Sequence, residues 1–300
     1  MPITEQQFLA MEGNIENVVD AYFKKEMDLL PKFYKIIKKT SAQFTDYTIG
    51  APGKMSDWTG SVDYDSFEEG YEKQYRPTKK STGIQVDRDW FEDKEYERIR
   101  NKVDNVLYGV KKTLRYESAE NFNKATSTTI LGPDGQPLAS ASHRTIPGAP
   151  LQSNLGSYEL TYAGVEDSQL IMEEWVDDRG DEMLIEGDLV IAGPKQRKNC
   201  QKLFGSDKEA YVADNTKNVD KDFKYIIHPL IKGNSWGLAN EELMKGGSGF
   251  NWFMRRDPRK LERDGATASG DFNTEILSWK AVGRWNKGWT NWFFIYWNSI

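Results

Sequence analysis

Apolar positions change their period several times along the chain. Ile15, Val18, Val19, Tyr22, Phe23, Met27 and Leu30 recur at three- and four-residue spacing, which predicts an amphipathic helix. Pro31 stops or kinks it. This helix is either an ordinary surface helix or an arm that docks on a partner through residues such as Phe23. Between 43 and 88 the pattern shortens. Gly50, Pro52, Gly53, Gly60, Gly70 and Gly83 punctuate strand-like pieces, and Thr82, Ile84 and Val86 alternate with Gly83, Gln85 and Asp87. Tyr71, Lys73 and Tyr75 share one face before the Arg76-Pro77 turn. The pattern predicts a long two-stranded hairpin. About twenty residues per arm at ~3.3 Å each reach ~65 Å. A compact chain of this length has a radius of gyration of only ~19 Å. An isolated ribbon is marginal in water, so Trp58, Tyr64, Phe67, Tyr71 and Tyr75 are expected to lie on another molecule. The competing expectation is a shorter sheet folded over its own core.

Residues 89–125 predict one long helix. Asp89 and Glu92 have capping-box spacing. Tyr96, Ile99, Val103, Val106, Leu107, Val110, Leu114 and Phe122 then form an apolar stripe, interrupted only by Gly109. At 1.5 Å per residue this helix is ~55 Å long. Residues 126–157 read as loop, with Gly132-Pro133-Asp134-Gly135 as a turn. Residues 158–239 alternate helix and strand. One helix carries Val165, Met172, Trp175 and Val176 and stops at Gly180. Leu189–Ala192 is a buried strand, and Pro194 opens a short helix that Gly205 closes. Phe223–Ile231 is a strand halted or bulged at Pro229. Gly246-Gly247-Ser248-Gly249 marks a crossing. Half of the ten tryptophans lie between Trp279 and Trp297. The run Trp292–Trp297, WFFIYW, suits a strand covered on both faces.

Composition narrows the function classes. The net charge of −6 gives no basic excess for nucleic-acid recognition. Cys200 is the single cysteine, so an internal disulfide and a four-cysteine zinc site are excluded. The start MPITEQQFLA has no signal-peptide pattern, and no apolar run approaches ~18 residues. These features predict a soluble chain from a reducing compartment with no membrane segment. Met1 adds the expectation that no large scaffolding segment has been cleaved from the front.

Few residues suggest chemistry. Ser142 and His143 are adjacent, but a catalytic pair needs spatial neighbours and a third group orienting the base. There is no G-x-S-x-G elbow, no P-loop and no dinucleotide fingerprint. His143 and His228 make no zinc spacing. Asp177, Asp178, Asp181 and Glu182 read as a solvated helix end rather than a metal site. Arg179-Gly180-Asp181 spells an adhesion tripeptide, but Gly180 has a sufficient role as a helix stop. The lysines between Lys24 and Lys39 are balanced by nearby acids. No catalytic residue, cofactor or metal is predicted, and the chain reads as a non-enzyme. The rivals are a hydrolase using Ser142 and His143, and a tryptophan platform for glycans or single strands.

The order of elements, with several local motifs, resembles the major capsid proteins of tailed phages, the HK97-like fold, and within them the Mu-like major head subunits. FNKATS (122–127) ends the long helix. SASHRTIPG (140–148) with SNL (153–155), DDRGDEMLIEGDLVIAGP (177–194), FMRRDP (253–258) and ILSWKAVGRW (276–285) follow in the family's order. The resemblance covers roughly residues 40–290. It implies an α+β chain with an N-terminal arm (1–42) and an extended hairpin, or E-loop (43–88). The spine helix and first part of a peripheral domain follow (89–157), then an axial domain (158–239) and returning peripheral strands (240–300). It further implies a shell built from many copies in pentamers and hexamers around double-stranded DNA, bound without sequence specificity. Portal and scaffolding or decoration proteins would be further partners. The location would be the virion, after synthesis in the host bacterial cytoplasm. Phe23, Trp58, Tyr64, Phe67, Tyr71, Tyr75, Arg76 and His143 are the expected contacts between subunits. An encapsulin-like compartment around protein cargo shares the fold and is the alternative.

Overall fold

The computed structural model describes residues 29–55, 57–58, 60, 62, 64–93, 95–205, 223–259, 261–263 and 275–300. The predicted helix at 15–30, with Phe23, lies outside these except at its end. There Leu30–Phe33 forms a single turn, α1. Pro31 falls in its first turn, where the ring's fixed φ favours a helix start.

Strand β1 (Lys35–Lys38) leads to the hairpin β2 (Phe44–Ile49) and β3 (Glu69–Tyr75), paired antiparallel. The next strand, β4 (Thr78–Asp87), is not a hairpin arm. It pairs with β11 (Ile276–Trp289), register Thr78↔Trp285 to Asp87↔Ile276. The predicted ribbon is therefore found only as the short pairing of 44–49 with 69–75, and 78–87 belong to another sheet. Alternation marks a strand but does not name its partner.

The predicted long helix divides. Asp89–Glu92 forms a short α2, and the spine, α3, runs Tyr96–Asn123. The spine's N-cap is Glu95, not Asp89, and it makes no side-chain cap bond. Its 28 residues span ~42 Å. Ile99, Val103, Val106, Leu107, Val110, Leu114 and Phe122 are buried, as the stripe requires. They pack on one sheet in the order β1, β9 (Phe250–Arg256), β11 and β10 (Leu261–Arg263), with β4 on the other edge of β11. Trp252, Trp285 and Trp289 fill this core. Lys287 crosses from β11 to Glu117 and Glu120 of α3, at 3.1 and 2.7 Å. Burial lowers the Lys287 pKa. Glu120 resists burial and is held down to about 2 by Lys124 and Lys287.

A second core sits under a five-stranded sheet ordered β5 (Leu155–Gly156), β12 (Ile295–Asn298), β8 (Trp236–Ala239), β6 (Leu189–Ala192), β7 (Lys224–Ile227). Helices α4 (Tyr162–Glu173) and α5 (Arg197–Phe204) contribute Val165, Met172, Leu203 and Phe204 to it. Pro194 opens a 3-10 turn before α5, and β7 ends ahead of Pro229. The aromatic run at 292–297 is only partly a strand. Trp292 precedes β12 and packs on Trp175, while all four residues of β12 are buried. The last strand thus joins the sheet of residues 155–239 instead of the other returning strands. Helix α6 (Glu241–Gly246) is capped by Asn240, whose side chain accepts from Leu243 N–H at 2.9 Å. Gly247 (φ 112°) closes it in the left-handed region, so the glycine run is a helix stop.

Candidate assembly surface

The hairpin is anchored at its root and bare at its tip. Tyr75 is 4% exposed, tilted on Phe253 at 4.7 Å, and its hydroxyl donates to the Trp289 carbonyl at 2.9 Å. Gly288 makes room for it: a Cβ there would stand 2.3 Å from the Tyr75 ring. Phe44 stacks on the same Phe253. Lys73 caps the Leu131 carbonyl and lies over the Tyr75 and Trp289 rings. Tyr71 is half-buried, and its N–H donates to Thr48 Oγ1 at 2.7 Å.

Beyond this root the large side chains face outward. Met55 (100%), Trp58 (73%) and Tyr64 (93%) are exposed, as are Tyr47, Ile49, Val62 and Phe67. Seven large apolar side chains within 47–67 form a concentration that scattered surface residues do not.

Polar contacts tie this tip to the turn at 177–181. Ala51 N–H donates to Asp178 Oδ1 at 2.8 Å. Arg179 donates to Asp65 Oδ1 at 2.8 Å and to the Ala51 and Ser66 carbonyls at 3.1 and 3.0 Å. Lys54 pairs with Asp181. The Gly53 N–H, then Arg179, holds the Asp65 carboxyl below the usual range. The acidic cluster is therefore a clasp, not a solvated helix end. Asp177 Oδ1 accepts from Arg179 and Asp181 N–H and shapes the turn. Gly180 (φ 87°) sits in that turn rather than at a helix stop, because α4 already ends at Glu173. The clasp was missed from sequence. Its only local signal was the acidic cluster itself.

The remaining expected contacts divide. Arg76 is exposed. Tyr75 and His143, which is 0% exposed, are corrected: both are buried inside their own subunit and leave no surface for a neighbour. His143 Nδ1 bonds Asp134 Oδ2 at 2.5 Å, and its ring stacks on Trp292 at 5.0 Å. Its backbone exchanges both hydrogen bonds with Gln152. The Ser142 hydroxyl bonds Gln136 and Ser140 and makes no bond to His143. The geometry gives a loop staple, with no nucleophile–base contact. His228 is buried between α3 and β7. Its Nδ1 accepts from Leu230 N–H at 3.2 Å, and Nε2 meets Ser118 Oγ at 2.9 Å. Among the described residues no group of three His, Cys, Asp or Glu side chains could hold a metal, and no helix is long and apolar enough to cross a membrane.

No family model matches the sequence, and no curated protein does. Solved structures do match. The procapsid of bacteriophage JBD30 aligns over 99% of this chain and 76% of its own, with TM-score 0.54 and 14% identity. A phage-related protein from Bordetella bronchiseptica aligns over 94% and 96%, with TM-score 0.54 and 12% identity. A virus-like particle from Pyrococcus furiosus aligns over 95% and 98%, with TM-score 0.53 and 11% identity. The fold is α+β and of the HK97-like capsid type.

Proposed function

We propose that this chain is the repeating subunit of an icosahedral shell of the tailed-phage head type, enclosing double-stranded DNA. The observation that carries the reading is the hairpin. A capsid-type fold presents seven large apolar side chains on an extended tip, and nothing in its own core takes them up. Draped over a neighbour, they gain ~25 cal/mol per Å² of apolar area removed from water. Part of that gain offsets the cost of association. Repetition around a closed shell makes modest contacts sufficient.

In this reading the sheet and helices of residues 155–239, with β12, gather around the five- and six-fold axes. The spine and long strands form the periphery. The hairpin and the segment before α1 overlap neighbours. Portal, scaffolding or decoration proteins would complete a virion assembled in a bacterial cytoplasm. The order of the motifs at 122–127, 140–155, 177–194 and 253–285 supports a Mu-like affiliation. A shell around protein cargo is the second reading, since the chain also aligns over 98% of a subunit from the Pyrococcus virus-like particle and the fold alone does not separate the two.

Production of the full chain, followed by sedimentation and electron microscopy, tests the proposal. Closed spherical particles are expected, and monodisperse monomers under all conditions refute it. Nuclease-protected DNA from particles produced with the phage genes separates the head from the cargo shell.

A further inference from the structure

Strands β4 and β11 place Lys79 directly opposite Arg284. Like charges in that position destabilise a strand pair. Both side chains lie on the outer face of the sheet, because Lys80, the neighbour of Lys79, reaches inward to Glu117 of the spine and successive side chains alternate. Arg284 Nε–H donates to the Pro77 carbonyl at 3.0 Å. Exposed Arg76 lies beside them, its carbonyl accepting from Asn286 at 3.1 Å. None of these three cations meets a carboxylate among the described residues. In a chain of net charge −6, an outward cationic triplet with an enforced like-charge pair is a site for an anionic partner.

The same chain carries the complement. Residues 57–72 contain six carboxylates and no Lys or Arg. Asp65 is spent on Arg179. Glu68, Glu69 and Glu72 are exposed and reach no cation among the described residues. Tyr64 and Phe67 stand exposed within the same run. No ion pair joins these acids to the cationic face within one chain, since the clasp at 177–181 holds the tip elsewhere.

We infer that Glu68, Glu69 and Glu72 of one copy dock against Arg76, Lys79 and Arg284 of a second copy, an inference that rests on the shell-subunit reading. The aromatics supply buried area. The charges set register and encounter rate, and they reject misaligned neighbours. Because the charges are partly solvated, the contact weakens with salt.

The test uses the full chain and particle yield by sedimentation at low ionic strength. Lys79→Glu with Arg284→Glu is expected to cut yield about ten-fold or more. Adding Glu68→Lys, Glu69→Lys and Glu72→Lys to that chain is expected to restore it. Lys79→Gln with Arg284→Gln removes the like-charge repulsion, so it leaves the strand pair intact. It must still lower yield and flatten the salt dependence. Full yield from both cation variants overturns the inference, as does failure of the five-fold swap to rescue a chain with native circular dichroism. Particles that form normally but lose protected DNA would assign the face to phosphate and overturn it equally. Absence of particles from the unaltered chain would instead bring down the shell-subunit reading.

Discussion

Acidification should weaken the packing of α3 against β7 through His228. Burial, with a smaller contribution from Arg115, pushes its pKa from 6.5 down to about 4. The cause is visible in the site. Nδ1 is already an acceptor for Leu230 N–H, and Phe33 and Phe122 crowd the ring at 5.3 and 6.4 Å. A proton on Nδ1 would break that bond and leave a charge among rings. The folded pKa lies below the unfolded one, so the unfolded chain takes the proton first. Stability is therefore intact above pH 6.5, falls as pH drops from 6.5 to 4, and levels off below. At ~1.4 kcal/mol per unit the full loss is about 3 kcal/mol, of which about 2 kcal/mol is gone by pH 5. The assay is urea unfolding of the monomeric chain between pH 4 and 7.5, for the unaltered sequence and His228→Asn. Asn keeps an acceptor for Leu230 but does not titrate, so the difference between the two curves isolates His228. A difference that stays constant within ~0.5 kcal/mol across this range refutes a neutral buried imidazole.

Arg179→Ala removes the hairpin's bonds to Asp65, Ala51 and Ser66. Hydrogen exchange at residues 50–68 should accelerate, with global stability changed by less than ~1 kcal/mol; unchanged exchange refutes the clasp. Asn154→Ala strands the Ser140 N–H and the Leu138 and Ile295 carbonyls, all buried partners of that amide. A loss of about 2–4 kcal/mol by urea unfolding is expected, against under ~1 for a dispensable bond. His143→Ala leaves the Asp134 carboxylate buried without its partner and removes the Trp292 stack. Its thermal midpoint should fall with a destabilisation of about 2–4 kcal/mol, and an unaltered midpoint refutes the staple.

The spine was legible because 28 residues of unbroken helical period carry more signal than any local exception. Leu189–Ala192 was legible for a similar reason: four apolar residues between turn signals have few places to go but a buried strand. Pairing was not legible. Residues 78–87 alternate equally well for a hairpin arm or for a partner nearly two hundred positions later, and only the cross-strand fit with Trp279, Ala281 and Trp285 decides. The same limit hid the clasp, since Asp178 and Arg179 find their partners 127 and 114 positions earlier. His143 was expected to contact a neighbouring subunit because its burial depends on Trp292, far away in sequence. The exposed hairpin aromatics were readable as a group. Tyr75 separates from them because it sits one residue before the Arg76-Pro77 turn, where the strand re-enters the core.

The place of Ile295–Asn298 has a consequence for synthesis. This strand lies between β5 and β8, so an interior place in the sheet is filled by the segment translated after every other part of it. During translation, domains normally form from the front. Here the facing edges of β5 and β8 must wait, unpaired, until residues 295–298 have been made. A prematurely terminated chain would keep an open slot instead of a finished wedge.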